Sequence, residues 1–128
     1  MVIAFTGHRD CKTRSAELAD LRDEYPDATW KHGGARGFDR QVGRCAGAWL
    51  IEQIVIRPNW DKYGRAAAMI RNKDIISGAD ILVACWDGRE EGGTWGTIQL
   101  AMTAGLEIRY VTAISQPGKD RSDAAAGG

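Results

Sequence analysis

Four short segments carry most of the residues whose types and spacing suit ligand chemistry. They are Thr6-Gly7-His8-Arg9, the run His32-Gly33-Gly34-Ala35-Arg36-Gly37-Phe38-Asp39, Arg57-Pro58-Asn59-Trp60, and Trp86-Asp87-Gly88 with its continuation Gly92-Gly93-Thr94-Trp95-Gly96-Thr97. Glycines without Cβ let a chain turn tightly and bring its N–H groups close to a ligand. Helices are expected just after Gly37 and around Thr94, and helix amino ends offer free N–H donors and a positive dipole end to phosphate. Thr6, Thr94 and Thr97 add hydroxyls, and Arg9, Arg36 or Arg71 can pair with phosphate oxygens through the guanidinium fork. Asn59, Trp60 and Trp86 are candidates for a base or ribose, with Asn72 beside Arg71 and Gly92 completing the expected ligand-binding set.

Each residue also has a plainer reading. A Gly-Gly step between strand and helix is often only a turn. His8 and His32 can serve as loop hydrogen-bonding groups. Asp39 either faces a ligand or accepts from N–H groups in the first turn of its helix. Trp30 and Trp49 read as core or as a self-association surface, and five tryptophans favour a homo-oligomer.

Several chemistries are not supported. There is no G-x-x-x-x-G-K-[ST] and no G-x-G-x-x-G, so neither P-loop hydrolysis nor ordinary dinucleotide binding is indicated. No nucleophile elbow or metal-ligand spacing occurs. Cys11, Cys45 and Cys85 are scattered and odd in number, and Cys85 reads as a small core residue. No cofactor and no metal are expected. Lys plus Arg and Asp plus Glu are 17 each, a balance that argues against general nucleic-acid binding. The opening apolar run is too short for a signal sequence and no stretch approaches a membrane span, so a cytoplasmic protein is expected.

The elements that must position these groups alternate. Apolar or β-branched runs at 2–5, 28–31, 53–56, 81–86 and 107–111 are separated by helical patterns at 13–24, 38–52, 62–77 and near 95–104. The 128 residues suit one α/β domain with five mostly parallel strands. Ligands of such sheets bind outside the carboxyl ends of the strands, where strand order reverses. All four segments fall on that edge. The domain is expected over 1–114, and the Gly, Ala and charge-rich stretch 115–128 reads as a disordered tail.

Taken in order, Thr6-Gly7-His8-Arg9, His32 through Asp39, Asn59-Trp60 with Tyr63-Gly64, Met69-Ile70-Arg71-Asn72 and Gly92 through Thr97 resemble the YspA/YpsA-related branch of the SLOG superfamily. That resemblance implies a three-layer Rossmann-like fold and a nucleotide-derived ligand. Its relatives include the Lonely Guy phosphoribohydrolases, the DNA-processing protein DprA, and sensor domains for cyclic or ADP-ribose-type signals. Many small members look like parts of conflict systems between bacteria and phages, which fits a protein that senses or sequesters a signal. The alternative it implies is an N-glycosidase acting on a nucleoside monophosphate or an ADP-ribose-like compound. Arg71 matches the family's arginine, although Asn72 stands where lysine follows it. The acidic pair after the glycine loop is replaced by Ile98-Gln99-Leu100, and an amide supplies neither the charge nor the base that glycoside cleavage needs.

Overall fold

The computed structural model describes residues 1–114; the tail expected over 115–128 lies outside them. Five strands, β1 (Val2–Gly7), β2 (Thr29–His32), β3 (Gln53–Val55), β4 (Ile81–Cys85) and β5 (Glu107–Val111), form one sheet in the order β3-β2-β1-β4-β5. Every neighbouring pair is parallel, where a mostly parallel sheet was expected. This is an α/β Rossmann-like domain.

Alternation along the central strands explains the layers. Ile3 and Phe5 of β1 and Ile81, Val83 and Cys85 of β4 point to one face. There they pack against Leu18 and Leu21 of α1 (Ser15–Glu24) and Phe38, Val42 and Ala46 of α2 (Phe38–Ala48). Ala4, Leu82 and Ala84 point to the other. They meet Ile75 and Ile76 of α4 (Ala67–Ile76) and Ile98 and Ala101 of α5 (Gly92–Thr103). All five residues of β4 are buried, as a strand covered on both faces requires.

Three helices differ from the sequence reading by more than a residue or two. The helix expected over 38–52 stops at Ala48, because Leu50 adopts φ 57° and Ile51 N–H bonds back to Ala46. The helix expected over 62–77 is broken into α3 (Trp60–Tyr63), a 3-10 turn (Gly64–Ala66) and α4, with Gly64 at φ 55°. The last helix begins at Gly92, so the glycine motif is its first turn and not a loop ahead of it. Trp30 is wholly buried against Phe5, with Trp49 edge-on to it, which removes Trp30 as an interface candidate. No helix among the described residues is long and apolar enough to cross a membrane.

Two glycines are fixed by close approach. A Cβ on Gly7 would lie 2.5 Å from Phe38 Cβ, and one on Gly37, at φ 78°, would lie 2.3 Å from the Arg9 carbonyl oxygen. These contacts lock the end of β1 to the start of α2. Gly37→Ala is therefore expected to cost about 1–3 kcal/mol in denaturant unfolding. Gly96→Ala, in open space inside α5, is expected to stabilise by about 0.5–1 kcal/mol.

Candidate functional site

The chain runs β1, β2, β3 to one side and then crosses to β4 on the other side of β1. Strand order therefore reverses between β1 and β4, where a crevice forms at the carboxyl edge. A cavity of about 550 Å³ occupies this position. Its walls are the end of β1 through Asp10, Ala35 and Asp39 after β2, Ala68, Arg71, Asn72 and Ile75 of α4, Arg89 after β4, and Gly92, Gly93 and Thr94 of α5. A hollow of about 600 Å³ at the opposite edge, around Lys73, Ser77, Asp80 and Leu106, lacks such convergence of arginines and helix N–H groups.

The sequence-predicted residues divide into groups. Thr6, Gly7, His8, Arg9, Asp39, Arg71, Asn72, Gly92, Gly93 and Thr94 line the cavity. Gly33 lies just behind it. Gly34 faces Arg57, which donates to its carbonyl oxygen at 3.2 Å. Arg36 and Gly37 line an adjoining groove. Asn59 caps α3 by accepting from Lys62 N–H, and Trp60 is exposed; neither reaches the cavity. Trp86 is stacked on Trp95 with ring centroids 5.2 Å apart, and its indole N–H donates to the Arg89 carbonyl, so that ring face is taken. Gly96 and Thr97 lie inside α5, where the Thr97 hydroxyl donates to Gly93 O at 2.9 Å.

Asp39 organises the floor. Its Oδ2 accepts from Gly33 N–H and Ala35 N–H, each at 3.2 Å, while Gly34 N–H donates to His32 Nδ1 at 3.1 Å. Asp39 thus holds the loop before its helix and not the helix's first turn. Three successive N–H groups of the Gly33-Gly34 loop are satisfied within the protein and are not free to cradle phosphate. Asp39 Oδ1 is buried with no hydrogen-bond partner among the described residues. Burial raises the Asp39 pKa, opposed by the Ala35 hydrogen bond and by the nearby His32 and Arg71.

Arg71 faces this carboxyl group. Its Nη1 donates to Gly33 O at 3.1 Å and its Nε to Asn72 Oδ1 at 2.9 Å. A guanidinium has five N–H donors, so the fork keeps donors for a ligand. Burial lowers the Arg71 pKa; Asp39 opposes this and the like charge of Arg9 adds to it. An anion between Arg9 and Arg71 would relieve both. The amino end of α5 adds the other half. Its cap residue, Glu91, makes no side-chain cap, and among the described residues nothing accepts from the N–H groups of Gly92, Gly93 or Thr94. Such groups, with the helix dipole, suit a phosphate.

The residues missed by sequence reasoning are Asp10 and Arg89. Both sit in loops at the carboxyl edge, and that placement is the signal that could have found them. Arg89 holds Asp87 through several contacts and brings its carboxyl pKa down to about 2. Asp87 Oδ1 lies 3.1 Å from His8 Nε2, which makes no aligned hydrogen bond; burial lowers the His8 pKa and favours the neutral ring. His8, Cys11 and Asp87 offer ligand atoms within 4.8 Å of one another, the one possible metal cluster among the described residues. Arg89 already occupies the carboxylate, and burial raises the Cys11 pKa against the thiolate a metal needs.

The raised Asp39 pKa carries a pH signature. A carboxyl group whose folded pKa is raised loses stability as pH rises from the unfolded value through the folded one. Asp39→Asn keeps an acceptor for the loop N–H groups and abolishes that titration. Relative to wild type, the variant is expected to gain stability as pH rises above the ordinary carboxylate range and then level off. Urea midpoints measured from pH 3 to 8 check this, and a constant difference would contradict it.

No curated protein and no solved structure matches the chain significantly. The model of the YspA, cpYpsA-related SLOG family matches residues 1–63, which contain β1, the Thr6–Arg9 loop, the His32–Asp39 loop and the Asn59-Trp60 pair. Residues 1–63, with the first three strands of the Rossmann-like sheet, are thus similar to the YspA, cpYpsA-related SLOG family.

Proposed function

We propose that the protein binds a nucleotide-derived small molecule at the carboxyl edge of the sheet, with a phosphate seated between Arg71 and the amino end of α5. The observation that carries this reading is the convergence of unpartnered Gly92, Gly93 and Thr94 N–H groups and a partly buried guanidinium on one cavity at the strand-order reversal. The family match over residues 1–63 points the same way. Asn72 and the Thr6 and Thr94 hydroxyls add neutral donors, and the unpartnered Asp39 Oδ1 is suited to accept from a ribose hydroxyl. In this reading the protein is a cytoplasmic sensor or a sequestering protein, the latter fitting a conflict system. Self-association is part of the same reading. It would use the edge strand β3, where Ile54 and Val55 are exposed, and sedimentation at micromolar concentration yielding only monomer would contradict it.

A second reading is favoured by one specific feature, the buried carboxyl group of Asp39 on the cavity wall. A carboxyl group with a raised pKa can act as the acid or base of N-glycosidic cleavage. Gln99, which stands in the stretch where the phosphoribohydrolases carry acids, is exposed outside the cavity, so its amide takes no part in the chemistry of this carboxyl group.

A thermal-shift series against nucleoside monophosphates, NAD, ADP-ribose and cyclic nucleotides, followed by mass spectrometry, separates the two. A ligand at about 100 times its Kd stabilises by about 2.7 kcal/mol and should raise the midpoint on the order of 10 °C. Intact ligand supports binding, whereas released base supports cleavage. Arg71→Met should weaken binding about 10- to 100-fold, measured against that variant's own unliganded midpoint. No shift with any compound would overturn the assignment.

A further inference from the structure

A second groove of about 610 Å³ adjoins the cavity and shares Arg9 and Asp10 with it. It runs along α2 and is lined by Arg36, Arg40 and Arg44, with Lys12 opposite. Arg40 and Arg44, four residues apart, stack on one face of α2 about 6 Å apart along the axis, and Arg36 lies in the turn just before the helix. All of them, with Arg9 and Lys12, are exposed, and among the described residues none makes an ion pair. The single acid of the groove, Asp10, lies 3.7 Å from Arg89. A chain with 17 basic and 17 acidic residues therefore gathers five cations against one carboxylate at this place. Such an arrangement of one sign of charge raises local anion concentration, and arginines at this spacing are suited to phosphoryl oxygens.

Resting on the phosphate seat proposed above, we infer that the groove is a second phosphate subsite and that the ligand is an extended nucleotide with two separated phosphoryl groups. One group sits at Arg71 and the amino end of α5. Arg9 stands between the two compartments, and the other group lies along Arg40 and Arg44. A mononucleotide fills the cavity and leaves the groove unused.

Calorimetric titration of the full chain with the four nucleoside 5′-monophosphates and with the matching 5′-phosphorylated dinucleotides, pNpN, tests this. For the base that binds, the dinucleotide is expected to bind at least tenfold tighter than the monophosphate. Arg40→Ala/Arg44→Ala should abolish that advantage and leave monophosphate affinity unchanged, while Arg71→Met weakens both. Equal affinities for the two ligands, or a double variant that preserves the dinucleotide's advantage, would overturn the second subsite and leave the first standing. Binding of neither class would overturn both. A 20-nucleotide single strand that binds far tighter than pNpN, with a steep salt dependence, would make the groove a nucleic-acid track and refute the small-ligand assignment.

Discussion

One residue, Gly33, joins the two sides of this molecule at its functional edge. Gly33 donates its N–H to Asp39, which belongs to the helix layer on one face of the sheet, and accepts at its carbonyl from Arg71, which belongs to the layer on the other. The approach leaves no room for a side chain: a Cβ on Gly33 would lie 2.3 Å from Arg71 Nη1. A buried carboxyl group and a partly buried guanidinium are each costly alone. Here they meet on either side of one residue, and each offsets part of the other's burial. The position of Arg71 in the cavity, the shape of the loop after β2 and the start of α2 all follow from that junction.

The same junction explains where ligand-binding capacity is left over. Asp39 and His32 consume the N–H groups of the Gly33-Gly34 loop, so the more obvious glycine motif is structural. The less obvious one, at Gly92-Gly93-Thr94, opens an uncapped helix and keeps its donors. The two ends of the site thus have different characters, a wall whose loop N–H groups are satisfied and a helix end whose N–H groups are not. The arginine face of α2 begins immediately beyond Gly37, whose contact with the His8 and Arg9 carbonyls sets how closely cavity and groove adjoin.

The architecture was legible because long-range order here follows short-range pattern. The apolar run 81–86 and the alternation of strands with helices specify a parallel sheet, and a parallel sheet places its loops on one edge. Arg71, Thr94 and Gly93 could be placed by that reasoning together with the family resemblance. Other features depended on contacts that no local pattern encodes. Trp86 turned to Trp95, 9 residues on, and Asn59 turned to its own helix. Asp39 reached back to the preceding loop, which changed the meaning of the glycines there. The start of α5 was misplaced because two glycines and a threonine have low helix propensity, and tertiary packing of Ile98 and Ala101 overrides it. Arg89 and Asp10 carry no motif and are recognised only by the edge they occupy.

The most direct test of the phosphate seat is a titration of the ¹⁵N-labelled full chain with inorganic phosphate, followed by amide NMR. Phosphate asks only about the anion site and not about the base. The largest amide shifts are expected at Gly92, Gly93 and Thr94, with a side-chain Nε response from Arg71 and little change at Gly33 and Gly34, whose N–H groups are already engaged. Shifts centred on Gly33 and Gly34 with none at the start of α5, or no shifts at all, would contradict the account.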